Sequence, residues 1–204
     1  TKRKKKKKYF LSINIYFTEV IKIEKKLIKT RIIAVFGIFL LSFPSHFIYN
    51  LFPNILFSFF FPINESIFEH LKILFTSTII YGLFDYLLLK KEQIKVNNFS
   101  FNLFLSSTLS ILIFLLLYLP IYYIIGEFLP VTLLLMLLTY SLCQLISYYI
   151  LNTKKIPYLN TLSILFIILI YLNFIILTYS PPKEDLFKDP ITNTYGFKKE
   201  QISP

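Results

Sequence analysis

Five apolar segments, near residues 32–50, 70–89, 101–119, 130–151 and 159–179, govern what this chain can fold into. Each is close to the roughly 20 residues an α-helix needs to cross about 30 Å of hydrocarbon. Backbone polar groups in lipid must be satisfied within a helix or a closed barrel, and these runs lack the alternation of barrel strands. The expectation is therefore an all-α fold, a polytopic membrane bundle of about five transmembrane helices. Prolines punctuate it, with Pro130 and Pro157 at helix starts and Pro181 and Pro182 after the last helix. A soluble domain does not combine 55% hydrophobic with 16% charged residues in such runs. No internal repeat is visible, so an inverted-repeat transporter finds no support.

The charge of +11 sits in the wrong place for nucleic-acid binding, because twelve of the 22 Lys and Arg residues precede position 32. Residues 1–31 read as a basic interfacial or disordered segment, with Val20, Ile23 and Leu27 at helical spacing against lysines, suited to anionic lipid. A secretory signal peptide is the competing reading, but no small-residue cleavage site follows the short apolar patch. Lys90, Lys91 and Lys95 fill the second connection and Lys154 and Lys155 the fourth, while the first and third carry no Lys or Arg. The positive-inside rule then makes the N-terminus cytoplasmic. A bundle over residues 32–180 follows, and the tail 181–204 is extracytoplasmic. The single cysteine, Cys143, excludes a disulfide framework or a Cys-based zinc site and reads as packing.

The first connection, residues 51–64, is too apolar for a solvated loop and too Pro-interrupted to span, so it should lie at the outer interface or dip back into the bilayer. Beyond it lies the densest polar group, Pro62-Ile-Asn-Glu-Ser-Ile-Phe-Glu-His-Leu-Lys72. Glu65 and Glu69 are four apart and share a helix face, and His70 is one step round. His46 sits near the outer end of the first span, two residues after Pro44. These four candidates, His46, Glu65, Glu69 and His70, can serve as nitrogen and oxygen ligands for a divalent metal such as zinc, or pass protons between carboxylate and imidazole. The plainer reading makes Ser66-Ile-Phe-Glu69 a capping box, with Glu65 complementing the helix dipole. Asp85, about 24 Å along the helix from Glu69, reads as an interfacial partner of Lys90 and Lys91. Asn102, Ser106, Ser110, Gln144 and Asn160 read as hydrogen-bonding residues between helices, and Glu127 as a solvated group near His46.

The stretch Pro62 to Lys72 resembles a family of uncharacterised bacterial multi-pass membrane proteins with a Pro-Val-Asn-Glu-Ser-Val-Trp-Glu-His-Leu-Lys signature. Ile63, Ile67 and Phe68 stand in place of Val, Val and Trp. The tail Asp189-Pro-Ile-Thr-Asn-Thr-Tyr-Gly196 is similar to the family's Asp-Pro-x-Thr-Gly-Thr-Tyr-Gly ending, with Asn193 where Gly is usual. His46 with Phe47 and Tyr49 resembles its first-helix pattern. The resemblance implies a protein of the bacterial cytoplasmic membrane, of unknown activity, whose tail folds over the region from Asn64 to His70.

Three functions fit these features. One is a polar Glu/His site at the outer membrane face, metal-binding or proton-handling, in which Glu65 or Glu69 is a base or ligand and His46 and His70 are ligands or proton carriers. The second is a non-catalytic assembly or sensor subunit with a protein or oligomeric partner. The third is a small-solute or proton-coupled transporter, disfavoured because the middles of the third to fifth spans are mostly Leu, Ile and Phe. The orientation has a direct test: a phosphatase reporter fused after Asn50 should be active outside the cytosol, and activity confined to the cytosol would invert the topology.

Overall fold

A computed structural model describes residues 2–94, 96–156 and 158–197, with side chains from residue 20 onward. Lys95, the helix start expected at Pro157 and the side chains of Lys4 to Lys8 lie outside the described residues. The elements are α1 (Lys2–Leu51), α2 (Ile55–Phe60), α3 (Ile67–Lys91), α4 (Phe99–Ile125), α5 (Leu129–Asn152), α6 (Leu159–Tyr179) and a 3₁₀ turn at Asp185–Phe187. Among the described residues five helices are long and apolar enough to cross a membrane: Val20–Leu51 within α1, and α3 to α6 whole. Their outer faces carry bare apolar side chains, such as Leu116, 75% exposed, and Ile176, 61% exposed. Lipid solvates such faces, whereas water does not.

Packing follows from which helix carries the most polar groups, because those must turn away from lipid. Helices α1, α3, α4 and α5 pack in a ring, α1 on α3, α3 on α4, α4 on α5 and α5 on α1, while α6 lies against α4 and α2. Helix α3 is the most enclosed, with 61% of its membrane-spanning window buried against 17–28% for the others. Gly37 lets α1 approach α3 closely, since a Cβ there would overlap the ring of Tyr81. Phe68 and Phe75 of α3 meet Phe174 of α6 at centroid distances of 5.8 and 5.6 Å, which seats α6 against the same central helix.

No helix end falls at residue 31, since α1 is continuous from Lys2 to Leu51, about 75 Å at 1.5 Å per residue. Arg31 is consequently inside the bundle, 5% exposed. It pairs with Asp85 of α3 and donates from Nη1 to Gln144 Oε1 and Ser147 Oγ of α5, both at 3.0 Å. This corrects the partners expected for Asp85: Lys90 and Lys91 point outward, and Asp85 turns inward to Arg31. An intramembrane charge is tolerated when it is paired and faces the bundle interior, and one guanidinium here ties three helices together. Lys26 makes a second, half-exposed bridge to Glu92 at 3.0 Å.

The first connection folds back along α3. Asn54 caps α2 by accepting from Leu56 N–H. The Phe60 carbonyl then accepts from Thr76 Oγ1 at 2.8 Å, about 14 Å beyond the start of α3. A re-entrant segment survives at that depth because its carbonyls find donors: Lys72 Nζ reaches Ser58 O at 2.8 Å, and Ser58 Oγ meets the Tyr179 hydroxyl at 2.8 Å.

The Arg31–Asp85 pair generates a prediction. Asp85→Leu leaves a buried guanidinium unpaired and should cost about 3–5 kcal/mol, whereas Arg31→Met with Asp85→Leu should stay close to the parent. Thermal unfolding in detergent compares the two, and equal losses would show that the pair is not the source of the stability.

A candidate metal centre beside an apolar cavity

The site forms where α1 ends, the connection turns and α3 begins. Ser66 is the N-cap of α3 and its hydroxyl accepts from Glu69 N–H at 3.3 Å. Asn64 Oδ1 accepts from Ser66 N–H at 3.0 Å, closing a tight turn that sets Glu65 beside the first turn of the helix. Half of the expected capping box is thus present. Its other half is not, because Glu69 does not return to Ser66 N–H.

Glu69 is 1% exposed and its oxygens are fully engaged. Oε2 accepts from Ile63 N–H at 3.0 Å and from Lys72 Nζ at 2.8 Å, and Oε1 accepts from Thr178 Oγ1 at 2.8 Å. Lys72, with no exposed surface, also holds the re-entrant Ser58 carbonyl. The structure therefore sets Glu69 apart from the other three candidates: it binds the connection and α6 to α3. The signal for this was the Glu69/Lys72 spacing, an i,i+3 pair on one helix face.

His46, Glu65 and His70 are brought together. His46 Nε2 lies 3.0 Å from His70 Nε2, and Glu65 Oε2 lies 3.5 Å from the first and 3.3 Å from the second. All three side chains are partly exposed, at 26–35%. His70 Nδ1 is 2.9 Å from the Ser66 carbonyl, which can only accept, so Nδ1 carries the proton and Nε2 of a neutral ring presents a lone pair. A carboxylate oxygen and an imidazole lone pair facing one another repel unless something electropositive lies between them, whether the Nε2–H of His46, an added proton or a metal ion. In the protonated form of the cluster His46 and then His70 donate to Glu65 and hold its carboxyl well below the usual carboxylate range, although burial pulls the other way.

A metal ion is one such group. Zn²⁺ with ligands at about 2.0–2.1 Å and tetrahedral angles separates its ligand atoms by about 3.3–3.4 Å, and the three separations here bracket that value. The Ser66 carbonyl on Nδ1 is the kind of outer contact that fixes a ligating imidazole. The group can hold a metal ion.

The three residues also line a cavity of about 440 Å³ among α1, α3, α4 and α5. Glu127, exposed on the connection before α5, stands at its rim, and so do Asp185 and Lys188 of the tail. The tail is folded on itself at Asp189, 4% exposed, which accepts from Ile191 N–H at 2.9 Å and Thr192 Oγ1 at 2.7 Å. Asn193 takes the left-handed φ of +57° there, which Asn tolerates. Phe197 N–H donates to Thr178 O at 2.9 Å, and Phe187 packs on Phe68 at 4.6 Å. The tail thus covers the region from Asn64 to His70.

Other polar residues were assigned less well from sequence. Gln144 does bond between helices, and Asn160 Oδ1 accepts from Phe101 N–H at 3.2 Å. Ser110 instead bonds its own helix at Ser107 O, and Asn102 Oδ1 and Ser106 Oγ have no partner among the described residues. Cys143 is buried and free.

Over residues 7–197 the chain matches a family of unknown function (DUF6512), and it belongs to that family. No curated protein and no solved structure matches it.

Gly196 tests the tail's attachment. A Cβ there would sit 2.5 Å from the Thr178 carbonyl at a φ of +59°. Gly196→Ala should therefore strain the contact by about 1–3 kcal/mol. Trypsin should then cut faster at Lys183 or Lys188, while Asn193→Gly should not accelerate cleavage; unchanged cleavage in Gly196→Ala would mean that the tail does not depend on this contact.

Proposed function

We propose that this member of a family of unknown function holds one divalent cation, zinc by preference, on His46, Glu65 and His70 at the outer face of a bacterial cytoplasmic membrane. One observation carries the proposal: three donor atoms lie 3.0–3.5 Å apart, with the His70 lone pair aimed at the shared centre by the Ser66 carbonyl. Two imidazoles and one carboxylate form a borderline-soft set suited to zinc rather than to calcium or magnesium. Three protein ligands leave a fourth position, and the cavity lies beside them. Centres of that kind are reactive, since a bound water there is acidified toward neutrality and a bound carbonyl is polarised. The outer placement rests on the lysine distribution, with the basic start of the chain on cytoplasmic anionic lipid.

A second reading, proton-coupled transport, has its own observation. Separate buried polar groups occur on α1, α3 and α5 from the site inward: Ser45 with Ser77 at 3.1 Å, Ser42 with Tyr140 at 2.8 Å, Tyr81 and Thr139, whose hydroxyl oxygens have no partner among the described residues, and Asp85 with Arg31. The apolar middles of the later spans hid these groups, because they come mainly from other helices. Nothing comparable favours the assembly or sensor reading.

Protein purified without chelator and analysed for metals should contain close to one zinc per chain. His46→Ala, His70→Ala and Glu65→Gln should each weaken binding by at least about tenfold, and loading should fall on acidification because ligation requires neutral imidazole. Glu69→Gln, checked for folding, should keep the metal. Metal-free protein that also fails to take up added Zn²⁺ or Co²⁺ would overturn the proposal and leave the proton between the imidazoles as the occupant.

A further inference from the structure

We infer that the cavity is the binding site for a single-chain membrane amphiphile, an acyl chain ending in an oxygen-donor head such as an amide, ester or carboxylate, which enters from the bilayer between α1 and α5. The inference rests on the metal reading, because the head is placed on the open coordination position. At about 440 Å³ the cavity falls within the range of small-molecule sites. Its polar lining gathers at one end, with the three ligands, Glu127 and Lys188. Away from them the wall is mainly apolar: Phe39 lies seven residues before His46 on α1, about 10 Å deeper, with Ile73, Leu74, Phe114, Leu133 and Met136 around it, and the Ser42 hydroxyl there is already bonded to Ile38 O and Tyr140. That division matches a molecule with one polar end and one greasy end.

The direction of access follows from residues that belong to two surfaces at once. Phe43, Phe47 and Leu129 line the cavity and are also 41%, 53% and 64% exposed on the apolar perimeter. They lie on the facing outer ends of α1 and α5, so the cavity reaches the surface that lipid covers. On the aqueous side Asp185, Lys188 and Pro190 of the tail stand over it. A water-borne solute meets the tail first, whereas a lipid already in the bilayer meets an opening of its own polarity. Lys188 adds a cation at the rim for an oxygen-rich head, and the metal's open position takes its donor atom.

Co²⁺ in place of zinc gives visible absorption that responds to a fourth ligand, so the full chain loaded with Co²⁺ in lipid nanodiscs can be titrated with two hydroxamates. Dodecanoyl hydroxamate should perturb the bands at a concentration at least about a hundredfold below acetohydroxamate, in keeping with the burial of many methylenes. Partition into the nanodisc raises the local concentration of the longer probe, so the deciding variant is Met136→Trp, with Leu133→Trp as a second on the same wall. Either should leave the unliganded Co²⁺ spectrum unchanged and cut the advantage of the longer probe by at least about tenfold. An advantage that survives both variants, or none in the parent, overturns the amphiphile site while the metal centre stands. Absence of Co²⁺ bands before any hydroxamate is added overturns the metal reading and this inference with it.

Discussion

One buried carboxylate organises the end of the molecule that matters. Glu69 is closed off from solvent, and a charge there is stable only if hydrogen-bond donors surround it. Lys72, Ile63 N–H and Thr178 supply them, and in doing so bring the re-entrant connection, α3 and α6 to one point. The tail then hangs on the same α6 residue, through Phe197 N–H on the Thr178 carbonyl. Glu65, four residues before, is left free of this network and faces the two histidines instead. Two acidic residues that look equivalent on a helical wheel thus do different work, because one lies inside the first turn and the other before its cap.

That difference marks where sequence reasoning succeeds and where it stops. Lipid leaves few choices for an apolar run of about 20 residues, so the five spans could be read closely from hydropathy alone. His46 and His70 were visible for a related reason: a titratable ring in an apolar span needs a partner, and few candidates exist. Which carboxylate joins them depends on φ and ψ at Asn64 to Ser66, and a capping signature does not fix those. Arg31 shows a second limit. A boundary drawn where the lysine-rich segment gives way to the apolar run put it outside the span, and its partner Asp85 was then assigned to the nearest lysines. The gap of 54 residues between Arg31 and Asp85 is bridged only once α1 and α3 are seen side by side.

The two buried ion pairs stand near opposite ends of the same central helix, Glu69–Lys72 at one and Arg31–Asp85 at the other. The first holds the folded-back connection, whose carbonyls need donors, and the second holds the long helix α1 against α3. Neither need add much net stability over an apolar replacement, since desolvation offsets much of the attraction. Their consequence is geometric. They fix the register of α1 and of the connection against α3, and His46 and Glu65 sit on those two elements.

Register is what a three-ligand centre demands. His46, Glu65 and His70 come from three segments with no covalent restraint between α1 and α3 other than the connection itself, and a slide of α1 by one helical turn, about 5.4 Å, would separate the imidazoles beyond any common ligand. A cation at the centre acts in the reverse direction, tying α1, the connection and α3 together at the point farthest from the Arg31–Asp85 pair. Binding to the folded arrangement alone stabilises it by mass action, so occupancy and order at this end rise together. The cavity beside the site is then shaped by the same contacts that hold the ligands. A head group on the metal and a chain against Phe39 and Met136 would read one rigid surface rather than two independent ones.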